Sequence, residues 1–252
     1  MRRLALSGVL AAALLVALPP PAHGHLLPSG ATSLLGMMAV ADGMLVARAA
    51  AATHERATTQ AATPERDATQ AATPFLARET IAGEAPSEGF VLEQKAPILR
   101  YAEIEDALLL VAREKKDGSS ARWVSVQPAG AGIVLDKPKI DDRSRAVLRA
   151  LWKVAHPEPG STPDVAAAAN ALIDALALPE QKLRALAFLD LSTLAEDPGH
   201  FTPLAVSRLL RYGDGPDDDA RLAQPVRDLG RKIAAREATE ARAGSETKAS
   251  KP

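Results

Sequence analysis

Apolar residues recur at helical spacing from residue 141 to about residue 238. In DDRSRAVLRALWKVAH, Val147, Leu148 and Leu151 fall on one face of a helix. Similar apolar stripes occupy residues 161–178, 179–197, 201–213 and 221–238. The pattern predicts a bundle of four to five helices over residues 141–238.

Residues that favour the first turn of a helix mark two of the predicted starts. Either Ser161 or Thr162 is expected to cap the second helix, with Pro163 at its first helical position. Thr202 precedes a proline in the same way and is expected to cap the fourth helix. Pro225 is expected to weaken the last helix, because proline lacks the N–H that the helix interior needs.

Residues 88–140 are richer in Val, Ile, Leu and aromatic residues than the segments before them. ALLLVARE and ARWVSVQP, at residues 107–114 and 121–128, flank the turn signal KKDGSS. We therefore predict a small antiparallel unit of three to five strands. Residues 98–112 also fit helical spacing, which leaves helix and strand open there. The predicted fold class is α+β and mostly helical.

Residues 25–87 contain a ten-residue unit, AATHERATTQ followed by AATPERDATQ, and a third copy that begins as AATPF. Alanine supplies most of its apolar content, and Pro64 and Pro74 interrupt any helix through it. Such a segment buries too little surface to offset its ordering entropy. We expect residues 25–87 to be a disordered spacer and the polar residues 239–252 to be a disordered tail.

The first 24 residues have the three-part layout of a bacterial signal peptide. Arg2 and Arg3 precede fifteen uncharged, mostly apolar residues, and small residues suited to cleavage follow. We expect export to the periplasm or the medium, with the membrane contacted only through this segment if it stays uncleaved. The chain contains no cysteine, so it has neither disulfides nor thiolate metal ligands.

The bulk charge and the motifs argue against several classes of function. The formal net charge is -1 and only 3% of residues are aromatic, which gives no basis for binding nucleic acid. No nucleophile elbow, phosphate-binding loop or calcium loop is present in the sequence. We expect no cofactor, and a non-catalytic protein rather than an enzyme.

The histidines of the chain suggest one alternative chemistry. If cleavage makes His23 or His25 the first residue, its amino and imidazole nitrogens can chelate copper, and a second histidine (His54, His156 or His200) can complete the site. HGHLLPSG resembles the mature start of copper-dependent polysaccharide monooxygenases over these eight residues alone. Those enzymes are aromatic-rich β-sandwiches, whereas this chain is alanine-rich and predicted to be helical.

Two functions follow as expectations from these observations. The first is an exported interaction or scaffold protein of the bacterial cell envelope, which docks a protein partner through its helical domain. The alternative is a periplasmic copper-binding protein or an enzyme that uses scattered histidines and acids.

Overall fold

The computed structural model describes residues 33–49, 71–86, 89–94, 106–114, 122–127, 133–134 and 140–249. The strands are β1 (Gly43–Ala49), β2 (Ala71–Gly83), β3 (Gly89–Gln94), β4 (Ala107–Glu114), β5 (Arg122–Ser125) and β6 (Ile133–Val134). The helices are α1 (Leu34–Val40), α2 (Asp142–Ala155), α3 (Val165–Ala175), α4 (Gln181–Leu194), α5 (Pro203–Leu210) and α6 (Ala220–Ala249), with a 3-10 turn at Pro198–His200. The α+β class is confirmed.

Five of the strands close into a barrel. The order is β1-β2-β3-β5-β4, and β4 pairs back onto β1, so the ring has no free end. All pairs in the ring are antiparallel except β3 with β5, which are parallel. The short β6 adds to β4 beside β5. Architecture alone assigns no function.

Strands β1 and β4 are buried on both faces, which explains the unbroken apolar run in β4. Leu45 and Leu109 point into the barrel, where the rings of Phe75 and Phe90 stack with centroids 5.7 Å apart. Residues that alternate with them, such as Leu110, point outward and join the core of the helices. The sequence left helix and strand open for residues 98–112, and the chain from residue 107 is a strand. Residues 98–105 lie outside the described chain.

Helix α1 connects the barrel to the other helices. Its residues Leu34, Leu35, Met37 and Met38 are all buried, and α1 packs against β4, α2 and α4. Beyond α1, α2 packs on α3, α3 packs on α4 and α5, and α5 packs on α6. One continuous apolar core runs from the outer face of the barrel through all six helices.

Arginines of α2 fix this helix against β2. The Arg149 side chain donates to the Ile81 carbonyl oxygen at 3.0 Å, and Arg145 forms an ion pair with Glu79 at 2.6 Å. Glu79 and Ile81 lie beyond the part of β2 that pairs with β3. These contacts therefore hold the helical domain on a stretch of β2 that has no described strand on that side.

The prediction of a disordered spacer is wrong for residues 33–49 and 71–86, which contain α1, β1 and β2. Strand β2 begins in the third repeat copy, and Phe75 from that copy lies inside the barrel. Pro74 is tolerated because it lies beyond the last β1–β2 pair, where β2 has a described partner on one side only. Residues 25–32, 50–70 and 87–88, including the first two repeat copies, lie outside the described chain.

Two helix boundaries also differ from the sequence prediction. Asp164 rather than Ser161 or Thr162 caps α3, because its carboxylate accepts from the Ala167 N–H at 2.9 Å. The backbone of α6 continues through Pro225 to Ala249, so a disordered tail from residue 239 is wrong up to that point. Within the described residues, every helix is too short or too polar to cross a membrane.

Candidate functional site

His156, one of the predicted metal ligands, has a structural position at the end of α2. Its Nε2 lies 3.1 Å from the Ala41 carbonyl oxygen, and its Nδ1 lies 3.1 Å from the Trp152 carbonyl oxygen. The imidazole also stacks on the Trp152 indole, with ring centroids 4.0 Å apart. His156 therefore joins the end of α2 to the end of α1, and both ring nitrogens face backbone oxygens.

His200 lies in the 3-10 turn, where its Nε2 is 3.2 Å from the Asp197 carboxylate. His156 and His200 contact different partners and are not brought together with a third ligand. Within the described residues, no group of three His, Asp or Glu side chains is placed to hold a metal ion. His25 lies outside those residues. The described chain thus gives the copper hypothesis no assembled site.

An open cleft of about 280 Å³ lies between α2, α3, α5 and the loop after α5. Apolar side chains and one tyrosine ring form its floor, and charged side chains form its rim. The floor residues are Ile173, Ala177 and Tyr212, and the rim residues are Arg143, Arg208, Arg211 and Asp218. We call this feature the arginine cleft.

Two rim arginines belong to solvent-exposed ion pairs. Arg143 of α2 lies 2.5 Å from the Asp217 carboxylate, and both side chains are more than half exposed. Arg208 of α5 pairs with Asp174 of α3, and both of these side chains are at least 36% exposed. Exposed pairs contribute about 0–1 kcal/mol, so each guanidinium can readily accept a second anionic partner.

The third rim arginine has no such partner. The Arg211 Nε donates to the Ser207 carbonyl oxygen at 3.4 Å, and in the described chain no carboxylate lies within ion-pair distance of its guanidinium. The nearby Asp218 carboxylate accepts the backbone N–H groups of Gly213 and Gly215 at 2.8 and 2.9 Å. The three rim arginines are therefore accompanied by three carboxylates, those of Asp217, Asp174 and Asp218.

The floor of the arginine cleft is held by a partly buried polar network. The Tyr212 hydroxyl donates to the Leu176 carbonyl oxygen at 2.9 Å and accepts from the Asp219 N–H at 3.1 Å. The Asp219 carboxylate forms an ion pair with Arg184 at 3.0 Å, and both side chains are at most 15% exposed. Burial raises the pKa of Tyr212. The ring is therefore neutral at physiological pH and fixed in position.

The composition of the arginine cleft suits binding rather than bond chemistry. Guanidinium groups stay protonated and donate up to five hydrogen bonds each, so they hold anions but do not transfer protons near neutral pH. The two lining side chains of the acid–base type, Asp218 and Tyr212, are both engaged in hydrogen bonds to the backbone. Sequence reasoning missed this site. The three-residue spacing of Arg208 and Arg211 on one helix was the available signal, but only the fold adds Arg143.

Comparison with known proteins finds no matching protein family, no matching curated protein and no matching solved structure. The basis for assigning a function is therefore the geometry and chemistry of the chain itself.

Proposed function

We propose that the protein is an exported, non-catalytic interaction protein that docks a protein partner through its helical domain. The observation that carries the proposal is the arginine cleft, an apolar floor with a fixed tyrosine ring surrounded by three arginines. Arginine and aromatic residues are enriched at protein interfaces and dominate their binding energy. Because the described residues of the helical domain present this combination in the cleft, we place the docking surface there.

The open shape of the arginine cleft favours a protein partner over a small molecule. Pockets for small ligands usually bury most of the ligand, whereas this cleft of about 280 Å³ is open. That volume suits one or two side chains from a larger surface. The network below Tyr212 supports the proposal because a rigid floor lowers the entropic cost of binding.

Export is supported by the sequence of residues 1–24, which lie outside the described chain. The intact mass of the protein recovered from the cell envelope or the medium tests this part. A mass that corresponds to a chain starting at or near His25 supports export. The mass of the full-length chain, found in the cytoplasm, contradicts it. A full-length mass from a membrane fraction makes residues 4–18 an anchor.

The docking surface is tested by photo-crosslinking in the producing cell. A diazirine analogue of leucine replaces Ala177 in the arginine cleft, and a matched variant carries it at Leu76, which is exposed on the barrel. We expect one discrete protein adduct from position 177 and none from position 76. Absence of an adduct at both positions, or an adduct only from position 76, contradicts docking through the helical domain.

A further inference from the structure

We infer that residues 26–32, the segment directly before α1, cover an uncharged strip on the solvent side of α4. The strip is one row of exposed residues spaced four apart along the helix: Ala185, Leu189 and Thr193. Leu189 is 54% exposed, and the partly buried Leu186 and Phe188 flank the row. We call this row the α4 strip. It is separate from the arginine cleft, so the inference does not depend on the proposed docking.

The α4 strip lacks the charged side chains that normally cover the solvent side of a surface helix. Between residues 185 and 193 the one charged residue is Asp190, which is buried. Helix α2 has the same length and exposes Asp142, Arg149 and Lys153 on its solvent side. A helix that is apolar on all sides is typically buried. The α4 strip therefore calls for a cover beyond the described residues.

The contacts of Asp190 identify the segment that is in position to provide this cover. Its carboxylate accepts hydrogen bonds from the Leu35 N–H at 2.8 Å, from the Leu34 N–H and from the Ser33 hydroxyl. Ser33 therefore lies beside α4, next to the residue that follows Leu189. The Ser33 backbone is extended, with φ of −87° and ψ of 133°. The chain thus meets α4 as an extended segment immediately before α1.

Residues 26–32, LLPSGAT, match the α4 strip in length and in polarity. The six residue steps from Leu27 to Ser33 span up to about 20 Å when extended, whereas the α4 strip is about 12 Å long. The segment carries no charge, and Leu26 and Leu27 supply aliphatic side chains that can pack on Leu189. A second copy of the chain is the competing occupant, and it would give a product between two chains in the test.

The inference is tested by photo-crosslinking of the purified protein at two protein concentrations. A diazirine analogue of leucine replaces Leu189, and a matched variant carries it at Leu204, which is 66% exposed at the start of α5. Trypsin yields one peptide that ends at Arg48 and contains residues 26–32, whether or not the first 24 residues are removed. Fragmentation of the crosslinked peptide in a mass spectrometer then locates the insertion.

Two double variants of the chain that carries the analogue at position 189 test the role of the leucines. Leu26→Ser with Leu27→Ser removes both aliphatic side chains of the segment. Leu76→Ser with Val91→Ser is the matched control, because these two apolar side chains are also exposed but lie on the barrel.

We expect the analogue at position 189 to insert within residues 26–32 of the same chain, with a yield that does not depend on protein concentration, and the analogue at position 204 not to insert there. The yield should fall severalfold in the first double variant and stay unchanged in the control. Insertion only at Ser33 or later residues, a product between two chains, or no product from position 189 overturns the inference. Equal yields in the two double variants overturn it as well.

Discussion

Asp190 is a buried carboxylate that joins α4 to the first turn of α1, and its environment predicts an unusual dependence of stability on pH. Only 2% of Asp190 is exposed. Its Oδ2 accepts the Leu35 N–H at 2.8 Å, and the Leu34 N–H and the Ser33 hydroxyl donate to it as well. Burial raises the pKa of Asp190 from 3.8 to about 6, and these hydrogen bonds oppose the shift only in part.

The sign of the effect follows from proton binding. Since the pKa of Asp190 is higher in the folded state, the folded protein holds more protons than the unfolded chain between about pH 4 and pH 6. Stability from this group therefore falls as pH rises through that window and stays low above it. A shift of about two units, at 1.36 kcal/mol per unit, gives a loss of about 3 kcal/mol between pH 3.5 and pH 7.5.

The assay is urea unfolding followed by circular dichroism, with the wild type and Asp190→Asn measured at intervals from pH 3.5 to pH 7.5. Asparagine does not titrate, so its effect on the hydrogen bonds to α1 is the same at every pH. The free energy of unfolding of the variant minus that of the wild type should rise by about 3 kcal/mol from pH 3.5 to pH 7.5. All other titrating groups cancel in this difference.

A difference that stays constant within about 0.5 kcal/mol over this range would refute the reasoning, because it would mean that the pKa of Asp190 is the same in both states. A difference that falls with pH would show a lowered pKa and would mean that the hydrogen bonds from α1 outweigh burial. The carboxyl carbon shift of Asp190 in NMR spectra gives the folded-state pKa independently.

Three substitutions and one control variant test the packing by the same unfolding assay. Gly83→Ala should cost more than 2 kcal/mol, because φ is +69° and the new Cβ would lie 2.3 Å from the Asp42 carbonyl oxygen. Gly160→Ala is its control, because φ is +84° there and the new Cβ would have no atom within 4 Å; it should cost about 1 kcal/mol. Equal costs for the two variants would rule out the clash at Gly83. Phe75→Ala should lose about 3–5 kcal/mol because the ring fills the barrel, and a loss below 1 kcal/mol would place Phe75 outside it. Arg184→Met should lose about 3 kcal/mol by leaving the partly buried Asp219 carboxylate without its ion-pair partner, and an unchanged stability would contradict that pairing.

The helical half of the fold was predictable because its signals are local. The Asp141 and Thr202 side chains accept from the N–H groups of Ser144 and Ala205, as capping chemistry requires. Each cap acts within three residues and needs no tertiary contact. The end of α6 was missed because composition alone suggested disorder after residue 238.

The barrel was only partly predictable because its pairs join distant segments. Strand β1 pairs with β2 and β4, although the repeat sequence between β1 and β2 carries no sign of this. The alanine-rich composition around Phe75 concealed a strand, since few of its residues are large. The apolar run in β4 does not alternate with polar residues, because both faces of this strand are buried.

The arginine cleft was not predictable for the same physical reason. Arg143 belongs to α2, whereas Arg208 and Arg211 lie at the end of α5, and only the packing of both helices against α3 places them on one rim. Of the predicted histidine ligands, His156 and His200 have separate partners, and His25 lies outside the described residues. His156 was notable in the sequence, but its ring nitrogens meet the backbone oxygens of Ala41 and Trp152.

The central claim is that a protein partner docks in the arginine cleft, and the crosslinking yield from position 177 tests it most directly. The yield is measured in the producing cell for the otherwise wild-type chain, for Arg211→Gln and for the control Arg113→Gln. We expect a single adduct whose yield falls severalfold with Arg211→Gln and is unchanged with Arg113→Gln, because Arg113 is exposed on β4 and does not line the cleft. No adduct, or equal yields in all three chains, would contradict it.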